Sequence, residues 1–305
     1  QFLPGPAQTF RAPHFIDIVQ QQVASAVSEA KIHRTAVETT LDLTLQRFVD
    51  STIGAELSRL SQEANESQDI QCAAVVLENK TGHVLALAGS RSFFGSEAGQ
   101  MNGAWAPRSA GSTLKPFTYL MALERGHHAS SILADTPIEY ITSTGTYQPV
   151  NFDRRFQGPV SIREALASSL NVPAVKLLDE LGGPSLLHEL MQDQLGFTSL
   201  EESPTEYGLG LTLGNAEVRL LELTNAYSCL ARLGEFHPYR LIKQGQVDDQ
   251  TLLHEAGIRV FDADASWLLV DILSDNDARA EAFGLHSPLN LPFRCATKTG
   301  TSTDF

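Results

Sequence analysis

The chain has 305 residues, 42% of them hydrophobic, enough for one large or two smaller domains with a sizeable core. Its formal net charge of −14 argues against nucleic acid as a partner, and no run of about 18 apolar residues offers a membrane span. Cys72, Cys229 and Cys295 are too few for a disulfide framework and lack metal-ligand spacing, so three small buried residues are expected.

Residues 1–20 contain several prolines and read as an irregular linker. Residues 21–30 and 41–60 space their apolar side chains three and four apart, the helical period. Residues 61–68 are polar and read as a loop. From residue 72 to 77 the pattern becomes β-branched and apolar. Asn79-Lys80-Thr81-Gly82 is turn chemistry, and residues 84–88 return, so an antiparallel hairpin is expected. Helical segments should dominate residues 112–275, and residues 293–302 read as a strand. A hairpin, a helical block and a returning strand imply an α+β fold, an antiparallel sheet covered by helices.

Three short segments carry chemistry. Ser112 opens a helical run that closes at Gly126, and Lys115 lies one turn further on the same face. A hydroxyl beside an amine is the pairing of a nucleophile and its base. Pro116 falls in the first turn, where no intrahelical partner is lost. Next, Ser161 and Glu164 form an S-x-x-E capping box, and Pro173 opens a further helix. Ser169 and Asn171 therefore sit on the bend between two helices. They serve either as caps or as groups aimed into a cleft. Last come Lys298, Thr299, Gly300 and Thr301, as a functional strand or as an edge strand guarded by lysine. Gly300 would let a substrate backbone approach. Three other features point to structure alone. The glycines of GLGLTLG at residues 208–214 have the wrong spacing for a dinucleotide loop. His127-His128 follows a helix end, and Glu201-Glu202 and Asp248-Asp249 read as solvated turns. No metal-binding motif appears.

S-x-x-K, S-x-N and K-T-G-T in this order resemble the penicillin-recognising serine acyltransferases. Within them the chain is similar to the transpeptidase half of class A penicillin-binding proteins. TTLDLTLQ at residues 39–46, AAVVLENKTGHVLALAGS at 73–90 and RSAGSTLKPF at 108–117 carry that likeness. So do VSIREALASSLNVPAV and LGNAEVRLLELTNAYSCLARLG. APHF at residues 12–15 points to the 1C type.

The resemblance implies a D,D-transpeptidase on the extracytoplasmic, periplasmic side of a bacterial inner membrane. Ser112 would be the nucleophile, Lys115 its base, and Ser169 with Asn171 the proton relay. Lys298, Thr299, Gly300 and Thr301 would hold the substrate carboxylate and complete an oxyanion hole. Lys115 must be partly neutral to act, and burial and the charge of Lys298 should both lower its pKa. The implied partners are peptidoglycan stem peptides, as D-Ala-D-Ala donor and amine acceptor, and β-lactam antibiotics. No cofactor, metal or nucleic acid is implied, and a membrane only through an N-terminal anchor outside this chain. A D-alanyl-D-alanine carboxypeptidase and a β-lactam-binding module without turnover stay open. A β-lactamase is set aside, because Glu222 and Asn225 have the wrong spacing for its water-activating glutamate. Residues 1–65 are expected to lead into the domain and 66–305 to form it. The family carries a glycosyltransferase domain ahead of this region, and nothing here resembles it. The family also continues past KTGT through two strands and a helix. The expectation is that residues 1–305 alone are C-terminally incomplete, and unstable or inactive.

Overall fold

Two apolar runs flanking a turn make the opening hairpin. Strand β1 (Ala74–Leu77) pairs antiparallel with β2 (Val84–Ala88), in the register Ala74 opposite Ala88, with an irregularity at Val76/Leu77. The computed structural model describes residues 11–26, 37–63, 70–95, 98–142, 145–243, 246–247, 250–251 and 257–302. The chain divides into two units. One comprises Gln1–Pro107, Arg219–Ser228 and His237–Gly257, the other Arg108–Val218, Cys229–Phe236 and Ile258–Phe305.

In the first unit, helix α1 (Pro13–Ala26) includes residues 21–26 of the expected helix and begins earlier, in place of the irregular linker over residues 13–20. Pro13 stands in the first turn, where its missing N–H costs nothing. Phe15, Ile18, Val19 and Val23 form one buried face, packed with Val84, Leu87 and Ala104. Residues 1–10 and 27–30 lie outside the described residues. Helix α2 (Leu43–Glu63) buries Gln46, Ile53 and Leu57. Gln46 docks it on β2: Oε1 accepts from Leu87 N at 2.8 Å and Nε2 donates to Leu87 O at 3.2 Å. Among the described residues no helix is long and apolar enough to cross a membrane.

The second unit is built around helix α3 (Lys115–Glu124), whose residues from Lys115 to Leu123 are all buried. A helix buried on every side belongs at the centre of a core. It is preceded by a 3₁₀ turn, Gly111–Leu114, and carries Pro116 in its first turn. Strand β3 (Arg108–Ser109) leads into that turn. Strand β4 (Ile132–Asp135) alternates exposed and buried residues, which turns Leu133 and Asp135 inward. It pairs with β5 (Gly158–Ser161), Asp135 opposite Gly158. Helix α4 (Ile162–Ala167) follows directly and starts with the expected capping box. Ser161 Oγ accepts from Glu164 N at 3.2 Å, and Glu164 Oε2 accepts from Ser161 N at 2.9 Å. Ser161→Ala is expected to cost about 1 kcal/mol of stability, read as a lower denaturation midpoint at unchanged slope. Helix α5 (Asn171–Glu180) comes next, and strand β6 (Glu217–Val218) pairs back with β3. Helix α6 (Ala263–Leu273) closes the described core.

The α+β reading holds, with two corrections. Among the described residues the strands pair only two by two, so helices carry more of the architecture than the expected sheet. Residues 293–302 form no strand, because no described segment offers them a ladder. Side chains and single backbone bonds hold them instead. Thr297 N donates to Leu273 O at 2.9 Å, the Arg279 guanidinium meets Thr297 Oγ1, and Arg294 pairs with Asp271 at 2.7 Å. The cysteines also differ from expectation. Cys229 is buried, but Cys72 and Cys295 are half-buried, one flanking the hairpin and the other in this irregular segment.

Candidate active site

Ser112 stands on the 3₁₀ turn, half-buried, one turn before Lys115. The turn is braced from behind by GLGLTLG, which the sequence marks only as structural. Gly214 O accepts from Ser109 Oγ at 2.8 Å and from Gly111 N at 3.3 Å.

Lys115 is fully buried at 0% exposure, at the head of α3. Its amine does not hydrogen-bond Ser112 Oγ. It donates instead to Ser169 O at 2.5 Å and Asn171 Oδ1 at 2.6 Å, with Ser169 Oγ at 3.3 Å. Lys298 reaches the same hydroxyl: its Nζ donates to Ser169 Oγ at 2.8 Å and to Thr299 O at 2.5 Å. Two amines thus meet at one hydroxyl. Burial, and next the charge of Lys298, push the Lys115 pKa well below the usual lysine range. Burial lowers Lys298 to about 7. Burial thus disfavours the proton on both amines, and at Lys115 the charge of Lys298 adds to it.

Ser169 sits on the bend between α4 and α5, as its neighbours imply, with φ of +59°. This left-handed backbone costs a serine on the order of 1–3 kcal/mol and is often retained at functional sites. It aims both the carbonyl and the hydroxyl of Ser169 at Lys115. Asn171 is the first residue of α5.

The 298–301 segment runs against the Gly111–Leu114 turn backbone to backbone. A Cβ on Gly111 would stand 2.6 Å from Thr301 O and 2.9 Å from Thr301 N. A Cβ on Gly300 would stand 2.7 Å from Ala110 O and 2.9 Å from Thr113 Cγ2. Glycine at both positions allows this approach, and Gly111 also takes a φ of +55°. Thr299 is half-buried and Thr301 exposed.

The residues singled out in the sequence therefore converge in one unit: Lys115, Ser169, Asn171 and Lys298 through hydrogen bonds, and the 111 and 300–301 backbones by contact. Two partners went unnoticed. Asn151 reaches the start of α5 from outside any motif, and Asp135 in turn accepts from Asn151 Nδ2. The one sequence signal was Leu170, a residue that cannot cap the helix it precedes.

The family described as penicillin binding protein transpeptidase domain matches residues 72–305, and the chain belongs to that family. Penicillin-binding protein 1C of Escherichia coli (strain K12) is 32% identical over 268 residues, covering 87% of this chain and 32% of that protein. Penicillin-binding protein 1A of Aquifex aeolicus (strain VF5) is 37% identical over 179 residues, covering 57% and 23%. The chain thus spans about a third or less of the length of these curated relatives. The solved structure of penicillin-binding protein PonA1 from Mycobacterium tuberculosis shares the fold, with a TM-score of 0.68 and 23% identity over 88% of this chain and 70% of that one. PonA1 is also known in complex with penicillin V, again 23% identical, with a TM-score of 0.69.

Proposed function

We propose that this protein is a serine D,D-transpeptidase of peptidoglycan synthesis that also binds penicillin covalently. One observation carries the reading: two lysine amines, that of the fully buried Lys115 and that of the half-buried Lys298, converge on Ser169 Oγ beside the turn that presents Ser112. Membership of the transpeptidase family supports it, as does the name of penicillin-binding protein 1C, to which the chain is 32% identical over 268 residues.

Ser112 Oγ attacks the carbonyl carbon between the two terminal D-alanines of a stem peptide. Its proton passes to the neutral amine of Lys115. Ser112 N and Thr301 N stabilise the oxyanion, each donor contributing roughly a hundred- to thousandfold in rate. The C–N bond breaks, and the leaving D-Ala amine takes a proton through Ser169. Lys298, Thr299 and Thr301 hold the substrate carboxylate, and Gly300 leaves room for its backbone. An acceptor amine then attacks the Ser112 ester and frees the hydroxyl. A β-lactam enters by the same first step and stays as the ester. The reaction belongs on the extracytoplasmic side of the membrane, where its substrate lies. Residues 66–305 form the catalytic region and 1–65 lead into it, a division that the family match from residue 72 supports.

Turnover of a D-Ala-D-Ala thioester in the presence of an amino acceptor tests this. Aminolysis product, with penicillin adding one equivalent of mass, is the expected result. Thiol release that yields only the hydrolysed acid, whatever acceptor is supplied, would overturn transfer in favour of a carboxypeptidase. Penicillin labelling without any thioester turnover would leave only a binding module.

A further inference from the structure

Helix α5 cannot cap itself. Its N-cap residue is Leu170, whose side chain accepts nothing. The first amides of a helix have no intrahelical acceptor, and buried ones need partners from elsewhere. Here all are accounted for. Leu170 N donates to Ala165 O at 2.9 Å. Asn171 N and Val172 N both donate to Asn151 Oδ1, at 2.8 and 3.2 Å. Pro173 has no N–H. The cap is thus a carboxamide from twenty residues earlier in the chain.

Asn151 is itself fixed. It is buried, 3% exposed, and its Nδ2 donates to Arg155 O at 2.8 Å and to both oxygens of Asp135 at 2.9 Å. Asp135 is 0% exposed and accepts a further bond from Gln157 N at 2.8 Å. The phenol of Tyr119 on α3 is pushed up, by burial first and then by the charge of Asp135. With Nδ2 committed to Asp135 and Arg155, only Oδ1 of Asn151 can face the helix. The neighbouring carbonyl completes the arrangement. Val150 O accepts from Asn171 Nδ2 at 2.9 Å, which leaves Asn171 Oδ1 as the end that meets Lys115. Residues 150 and 151 therefore fix the backbone of Asn171 and the direction of its carboxamide.

The geometry points to Asp135 and Asn151 as a positioning pair that orients Asn171 and, through it, the amine of Lys115. Neither touches the reacting atoms. The inference rests on the acyl-transfer reading, in which Lys115 must present its lone pair to Ser112.

The test is stopped-flow acylation by penicillin, with the acylation rate constant separated from the prior non-covalent binding constant. Asn151→Leu keeps the volume and removes every polar contact. It is expected to lower the rate constant about thirtyfold or more, with binding changed less than about threefold. Asp135→Asn, the milder change, is expected to lower it by about tenfold and serves if the leucine variant does not fold. The decisive measurement is the cycle with Asn171→Ala. If the pair acts through Asn171, either change costs less than about threefold in rate once Asn171 is gone. Full, additive losses in that background would overturn the proposal. So would folded variants whose active fraction falls while the rate constant of the remainder is unchanged, the mark of a purely structural role. Adduct formation at Ser112 of the unaltered protein is measured in the same assay. Its absence removes the acyl-transfer reading and the pair with it. Its presence with wild-type rates in both variants overturns the pair alone.

Discussion

Ser112→Ala abolishes covalent labelling by penicillin, a loss of at least about four powers of ten in acylation rate, as removal of a nucleophile produces. The physical ground is the division of labour among the hydroxyls. Ser169 Oγ lies within hydrogen-bond reach of both Lys298 and Lys115. Ser112 is half-buried on a braced turn whose Gly111 abuts the Thr301 backbone, and an oxyanion at Ser112 would draw on the amides of Ser112 and Thr301. Intact mass measured before and after exposure to penicillin checks the result. Peptide mapping that places the adduct on Ser169 would overturn the assignment. Because Ser112→Ala removes one oxygen from a half-buried site, its melting temperature should stay close to that of the unaltered protein.

Lys115→Arg lowers the acylation rate by about two to four powers of ten, the usual weight of a general base. Arginine keeps the charge but does not give up its proton. A neutral lysine amine has two N–H groups and one lone pair. Ser169 O and Asn171 Oδ1 occupy the two donors, which leaves the lone pair for a hydroxyl proton. The sign of the pH dependence follows. The base works deprotonated, and burial and Lys298 lower its pKa, so acylation rises with pH through a limb below the ordinary 10.5. Lys298→Met removes the second cause and should move that limb to higher pH. Stability obeys the same linkage. Between the folded and unfolded pKa values the unfolded chain binds a proton that the folded one does not, so stability is lost as pH falls from 10.5 towards the folded value. Lys115→Met should escape this loss, and its melting temperature should gain on the unaltered protein as pH falls through that window. An arginine variant that folds and acylates at near the unaltered rate would refute the base assignment.

Local chemistry was legible in the sequence, and distant partnership was not. The capping box of Ser161 and Glu164, the first-turn proline of α3 and the bend at Ser169 each depend on a few neighbouring residues, and each stands where the spacing implies. The first part of helix α1, residues 13–20, was missed because Pro13 read as a mark of irregularity, when proline in a first turn begins a helix as readily as it ends one. The 293–302 segment read as a strand because its composition suits one, but a strand exists only by virtue of the segment beside it. Asn151 itself carried no signal; only Leu170 hinted at a missing cap. Its importance comes from a helix twenty residues further on whose N-cap is that leucine, and from a carboxyl group on strand β4. The depressed Lys115 was foreseeable in direction, since a buried amine near another amine leaves little choice.

The close approach of Gly111 to Thr301, and of Gly300 to Ala110 and Thr113, separates two kinds of freedom. The oxyanion donors proposed here are main-chain groups, and main-chain groups are the same whatever side chains surround them. The reacting centre is therefore insulated from sequence drift nearby, so long as those two glycines persist. Thr301 faces solvent and Thr299 is half-buried, so the groups that would grip a substrate lie on the side open to change. Such a layout lets selectivity for stem peptides, or for one antibiotic over another, wander over generations while the chemical step stays intact.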